Sequence, residues 1–156
     1  TTRAVGEGMS ATVGSVSVAV LAPLAGPTAA QGSSATNDAS VVTLATVAGV
    51  TVLGLGDLEN EGQRTLASRI GGLVVDVVKV PHHGSDRQDQ RLAELVGARV
   101  AVVSVGADNT YGHPAPYALE LWGGRAGVLL RTDLCGDIVI TPGPSIATAC
   151  PMDMAG

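Results

Sequence analysis

The sequence predicts a mixed α/β (α+β) layer whose strands deliver polar residues to one rim. Two observations carry this. First, three apolar strands alternate with helical patterns. Val50 to Leu55 runs into Gly56-Asp57, and Val74 to Val80 into Pro81-His82-His83-Gly84-Ser85. Arg99 to Val105 leads through Gly106 to Asn109-Thr110-Tyr111-Gly112-His113-Pro114. Second, all three histidines lie just past strand ends, and Asp57 takes the equivalent place on the preceding strand. In α/β layering such ends gather on one edge of the sheet, where sites form.

The elements follow in order. Thr12 to Leu21 holds a turn signal and then strict alternation, with Val16, Val18 and Val20 on one face, which predicts a half-buried strand in a hairpin. Pro23 to Thr36 is rich in Ala, Gly, Ser and Pro and reads as a mobile loop. Ser40 to Val47 and Val50 to Leu55 are two strands joined by Ala48-Gly49. Leu58 to Ile70 is a helix, with acids in its first turn, Leu66 and Ile70 four apart, and Gly71-Gly72 as its stop. Val74 to Val80 is a largely buried strand. Ser85-x-x-Gln88 matches a capping box for a helix through Leu92, Leu95 and Val96 to Gly97. Arg99 to Val105 is a buried strand, Ala115 to Trp122 a short helix opened by proline, and Gly127 to Arg131 and Asp137 to Thr141 are closing strands. Residues 143–156, with Pro144 and Pro151, read as a disordered tail.

The totals bound the chemistry. A chain of 156 residues is one domain or part of a larger one. It is 46% hydrophobic but has no Phe, one Trp and two Tyr, so Val, Leu and Ala must fill the core. A net charge of −5 argues against a free-standing nucleic-acid binder. It leaves room for a metal enzyme acting on phosphates, since the cations bring the positive charge. Cys135 and Cys150 form no C-x-x-C pair, which argues against a zinc-thiolate site; a disulfide between them is one arrangement open to an extracytoplasmic domain. The uncharged stretch between Glu7 and Asp38 is broken by Gly14, Pro23, Gly26, Pro27 and Gly32. It offers no apolar run near the ~20 residues of a membrane span, and the chain reads as soluble.

Each rim residue has a structural reading beside a chemical one. Asp57 can cap the following helix, or it can bind metal as a carboxylate shared by two cations. Neighbours on an extended segment point opposite ways, so one of His82 and His83 faces the site and the other orients it. Gly84 permits a tight backbone path and Ser85 reads first as a helix cap. Asn109 and Pro114 can simply hold a turn. In the chemical reading that loop faces substrate, with His113 as a phosphate ligand or proton donor.

Taken together, these motifs resemble a family. Asn37-Asp38-x-Ser40-Val41-Val42, Gly56-Asp57-x-Glu59, Lys79-Val80-Pro81-His82-His83-Gly84-Ser85, Ser104-Val105-Gly106-x-x-Asn109-x-Tyr111-Gly112-His113-Pro114 and Arg131-Thr132-Asp133-x-x-Gly136-Asp137-Ile138 are similar, in this order, to the metallo-β-lactamase-type domain of ComEC/Rec2 competence proteins. The resemblance implies an αββα sandwich of two halves. Residues 1–142, with a core over about 37–141, would be the C-terminal half. The His-x-His-x-Asp-His motif of the first half occurs nowhere in this chain.

Carried over residue by residue, the resemblance makes Asp57 the metal-bridging aspartate and His83 the last metal histidine. Asp57, His82 and His113 become catalytic groups, and Ser85, Asn109 and His113 substrate-facing ones. It implies two zinc ions in the complete domain, with two ligands alone binding zinc weakly. It implies DNA as the partner of the full protein, together with the rest of that protein, including its membrane domain. This domain would then lie outside the cell membrane's core, on its extracytoplasmic side. The implied reaction is metal-dependent phosphodiester hydrolysis. The rivals are hydrolysis of a small ester on the same fold and a non-catalytic scaffold. Half a sandwich would also expose an apolar sheet face, so self-association is expected.

Overall fold

A computed structural model of the chain describes residues 4–23, 33–143 and 145–150. Seven strands form one sheet in sequence order: β1 Ser10–Val13, β2 Val16–Ala22, β3 Val42–Val47, β4 Val50–Gly54, β5 Leu73–Lys79, β6 Val96–Val103 and β7 Ala126–Arg131. The first four run antiparallel, with two-residue turns joining β1 to β2 and β3 to β4 and a longer connection joining β2 to β3, and β4 to β7 run parallel. The parallel crossovers carry α2 Asn60–Ala67, then α3 Gln90–Leu95 behind a 3₁₀ turn Pro81–Gly84, and then α4 Pro116–Gly123. α1 Ser33–Asp38 precedes β3, and α5 Thr132–Cys135 leads to a separate hairpin of β8 Ile138–Thr141 and β9 Ser145–Thr148.

The alternation of strand residues sorts the core into two faces. Across the sheet, Ala19, Leu44, Leu53, Val78, Ala101 and Leu129 lie in register. From Leu44 to Leu129 this row belongs to the main core, where Leu66, Leu92 and Trp122 cover it from the helices. The neighbouring row, Val18, Ala45, Val52, Val77, Val100 and Val128, points the other way. Its far end packs with Cys135 of α5 and with Ile138, Ile140 and Ile146 of the hairpin. Its near end, Val18, Ala45 and Val52, keeps partial exposure.

The fold class and most elements match the sequence reading. Four expectations need correction. The helix expected to run through Val96 to Gly97 stops at Leu95, and Val96 and Gly97 already belong to β6, where they pair with Leu73 and Val74. Ser85-x-x-Gln88 does not open α3; Asp89 does, its carboxylate accepting from Leu92 N at 2.9 Å. The loop expected over 23–36 contains the start of α1, while 24–32 lies outside the described residues. The segment read as a disordered tail from 143 contains β9, and Cys150 is bonded to Cys135. Apolar Ile146 facing Ile140 explains the strand, and residues 151–156 lie outside the described residues. Among the described residues no helix is long and apolar enough to cross a membrane.

Candidate functional site

The C-terminal ends of the adjacent parallel strands β4, β5 and β6 meet at one rim. Gly56 turns the chain after β4 at φ +57°, and a Cβ there would stand 2.7 Å from Ser40 Cβ. Ser40 Oγ in turn accepts from Asp57 N at 3.0 Å. Asp57 does not cap α2: Asp38 Oδ1 does, accepting from Glu59 N and Gly62 N at 2.9 Å each. The Asn37-Asp38-x-Ser40 motif thus clamps the strand end and leaves the Asp57 carboxylate to the rim. There Lys79 Nζ lies 3.4 Å from Asp57 Oδ1 and donates to Gly56 O at 2.8 Å. Burial holds the Lys79 pKa below its ordinary value, against the opposing pull of Asp57.

After β5 the chain is not extended. His82, His83 and Gly84 take positive φ in succession, +47°, +53° and +76°. Non-glycine residues seldom adopt this region, and strain of this kind concentrates at functional sites. The left-handed turn, rather than strand alternation, sends the two imidazoles apart, with ring centroids 6.4 Å from each other. A Cβ on Gly84 would stand 2.8 Å from Pro114 Cβ, so the turn and the next loop fit only with glycine there. Ala115 N, donating to Gly84 O at 2.7 Å, ties the two together.

His83 faces outward. Its Nδ1 lies 2.6 Å from the Ser104 carbonyl, so the ring donates there and presents Nε2. That Nε2 stands 3.5 Å from Asp57 Oδ1, and both side chains are about two-fifths exposed, 43% and 41%. The Ser104 carbonyl is itself held. Thr132 Oγ1 accepts from Val105 N at 2.8 Å and donates to Val105 O at 2.7 Å. His82 faces inward: its Nδ1 is buried with no hydrogen-bond partner, and Glu59 Oε1 lies 3.5 Å from it. Glu59 is buried, and accepts from Asn37 Nδ2 at 2.8 Å and Arg87 Nη1 at 3.0 Å.

The third piece is the loop after β6. Asn109 Oδ1 accepts from Tyr111 N at 2.7 Å and its Nδ2 donates to His113 O at 2.6 Å, so this side chain shapes its own loop. The His113 ring lies 5.6 Å from that of His82 and stacks with Tyr111 at 6.3 Å. Burial, then the charges of His82 and His83, depress the His113 pKa, against Asp86. Ser85 is 2% exposed and its Oγ accepts from Arg87 N at 3.3 Å. Glu59 and Gln88 are among the side chains that escaped the sequence reading of the site. Glu59 carried a signal only in its spacing from Gly56-Asp57, and Gln88 was absorbed into the capping pattern.

Asp57 and His83 fit two ligands of one divalent ion. Two ligands of a tetrahedral zinc, each about 2.0–2.1 Å from it, stand roughly 3.3–3.4 Å apart, close to the separation seen here. The carbonyl on Nδ1 is the support that metal-bound histidines use. They do not make a complete site: among the described residues no group of three or more His, Cys, Asp or Glu is disposed to hold a metal.

No family model matches the chain. It is 32% identical over 103 residues to ComE operon protein 3 of Bacillus subtilis (strain 168), covering 65% of this chain and 13% of that protein. It is 33% identical over 102 residues to Competence protein ComA of Neisseria gonorrhoeae, covering 64% of this chain and 15% of that protein. The match therefore spans only a small fraction of either relative's length.

Proposed function

Since the chain is homologous to a segment of competence proteins, we propose that it belongs to a DNA-uptake protein and carries part of a metal-dependent phosphodiester hydrolase site. In this proposal the chain is the C-terminal half of a metallo-β-lactamase-type domain, and the remaining ligands come from elsewhere in the protein. The observation that carries the reading is His83. Its ring is fixed on the Ser104 carbonyl and its free nitrogen faces Asp57 across 3.5 Å at a strand-end rim.

Asp57 and His83 would hold the ion. A divalent cation bound there supplies a water of lowered pKa and positive charge for phosphoryl oxygens. The other residues have separable tasks. Lys79, close to Asp57 Oδ1, brings a cationic side chain to the rim of a chain whose net charge is −5. His113 and the 84%-exposed Tyr111 form a stacked ring pair at the solvent edge, suited to contact a nucleotide or its phosphate. His82 lies behind them, within 5.6 Å of His113 by ring centres, where it can receive or return a proton.

The negative net charge supports a second reading, hydrolysis of a small ester on the same scaffold. Hydrolysis of DNA and of an aryl ester, assayed in parallel on the natural-length protein, separates the two. Zinc content by mass spectrometry, for this chain and for His83→Ala, tests the ligand assignment. Equal zinc in both would refute it.

A further inference from the structure

The rim holds two imidazole–carboxylate pairs, and they differ in burial. His83 with Asp57 is open, at 43% and 41% side-chain exposure, whereas His82 with Glu59 is enclosed, at 23% and 7%. We infer that Glu59 is a positioning residue that fixes the His82 ring with its proton on Nδ1, which leaves Nε2 unprotonated. The inference rests on the hydrolase reading for its purpose but not for its geometry.

Three observations carry it. His82 Nδ1 is buried and unpartnered, and a buried ring nitrogen in that state needs a compensating group. Glu59 Oε1 is 3.5 Å away, so a small side-chain rotation closes the hydrogen bond. Glu59 is also held as an acceptor: Asn37 Nδ2 donates to Oε1 and Arg87 Nη1 to Oε2. A carboxylate oxygen facing the ring favours N–H over a lone pair on Nδ1. The opposite tautomer would set two lone pairs against each other in a buried place.

The backbone enforces the same arrangement. Left-handed geometry at His82 turns its side chain in toward Glu59, and His82 N donates to Gly56 O at 3.1 Å, so the turn is pinned to the strand end that carries Asp57 and Glu59. The two imidazoles thus take different parts. His83 spends Nδ1 on a carbonyl and offers Nε2 to an ion. His82 spends Nδ1 on a carboxylate and keeps Nε2 for a proton.

The test is ¹⁵N–¹H correlation of the histidine rings in the uniformly ¹⁵N-labelled chain without metal, with His82 assigned by His82→Asn. His82 should show the Nδ1–H pattern. Glu59→Gln should lose it in favour of Nε2–H or a mixture. Asn37→Ala should keep it, because this change removes a competitor for Oε1 and leaves the carboxylate. An Nε2–H pattern in the wild type, or an unchanged pattern in Glu59→Gln, overturns the inference. If Glu59→Gln fails to fold, the wild-type and Asn37→Ala spectra still decide: Nε2–H in either refutes it. The readout needs neither metal nor turnover, so absence of hydrolysis with an intact Nδ1–H signal would sink only the functional reading.

Discussion

Gln88 is where the stability of the site turn can be measured most directly. Its side chain is 4% exposed and makes three hydrogen bonds. Its Nε2 donates to Ser85 O at 2.9 Å and to Pro81 O at 3.3 Å, and its Oε1 accepts from Trp122 Nε1 at 2.9 Å. One residue therefore bridges both ends of the left-handed turn and anchors it to the largest side chain of the core. Gln88→Leu keeps the volume and removes all three bonds. At about 1 kcal/mol for each bond, with the buried indole N–H orphaned, the loss should be about 3 kcal/mol. That is a large share of the roughly 5–15 kcal/mol that holds a domain.

The assay is urea unfolding followed by fluorescence, since Trp122 is the chain's one tryptophan and is 1% exposed. With a slope of about 2 kcal/mol/M, the midpoint should fall by about 1.5 M at unchanged slope. A double-mutant cycle with Trp122→Phe, read by circular dichroism, should give a positive coupling. A loss under about 1 kcal/mol, or additive single changes, would refute the account of the turn as a structure braced by Gln88.

Other expectations follow from the same geometry. Reducing Cys135–Cys150 opens a loop with a separation of 15 residues, and the chain-entropy estimate for such a loop is about 3 kcal/mol. Urea curves with and without reductant should differ by that order. Thr132→Val frees both Val105 groups and loosens the Ser104 carbonyl, so zinc affinity by chelator competition should fall about tenfold, as for lost support of metal histidines. Equal affinity would separate Thr132 from the site. Because the folded-state pKa of His113 lies below its ordinary 6.5, its contribution to stability is complete above that pH and is lost as pH falls through the folded value. His113→Asn should flatten this part of the stability–pH curve, and an unchanged slope would refute the assignment. The partly exposed Val18, Ala45 and Val52 face should drive self-association, visible by sedimentation and reduced by Val52→Lys. A wild-type monomer at high concentration would refute that.

The fold was legible where periodicity and composition agreed. Valine alternation in β2, the apolar runs of β5 and β6, and the acids and glycines around α2 each point one way. Legibility failed where partners are distant in sequence. Ser85-x-x-Gln88 has the letters of a capping box, but Trp122, 34 residues beyond Gln88, claims the glutamine, and Asp89 takes the cap. β9 was hidden because its small residues and the prolines on either side of it look like a tail, while its strand form depends on Ile140 and on the bond from Cys150 to Cys135.

The same reasoning explains what was and was not visible at the rim. Asp57, His82, His83 and His113 were visible because chemistry-bearing residues after apolar strands need no long-range knowledge to locate. Their different surroundings were not visible, because these depend on three positive φ values that send neighbouring rings to different carboxylates. An extended His82-His83 segment would also have parted the rings, but to opposite faces of the sheet. One imidazole would then have left the rim altogether. The left-handed turn keeps both within reach of the same strand end, and the close fit of Gly84 against Pro114 and of Gly56 against Ser40 fixes the turn there. The glycines of this rim therefore bear on its chemistry as directly as the histidines do: Gly84→Ala should misplace His82, His83 and the His113 loop together, through one backbone change that removes no polar group.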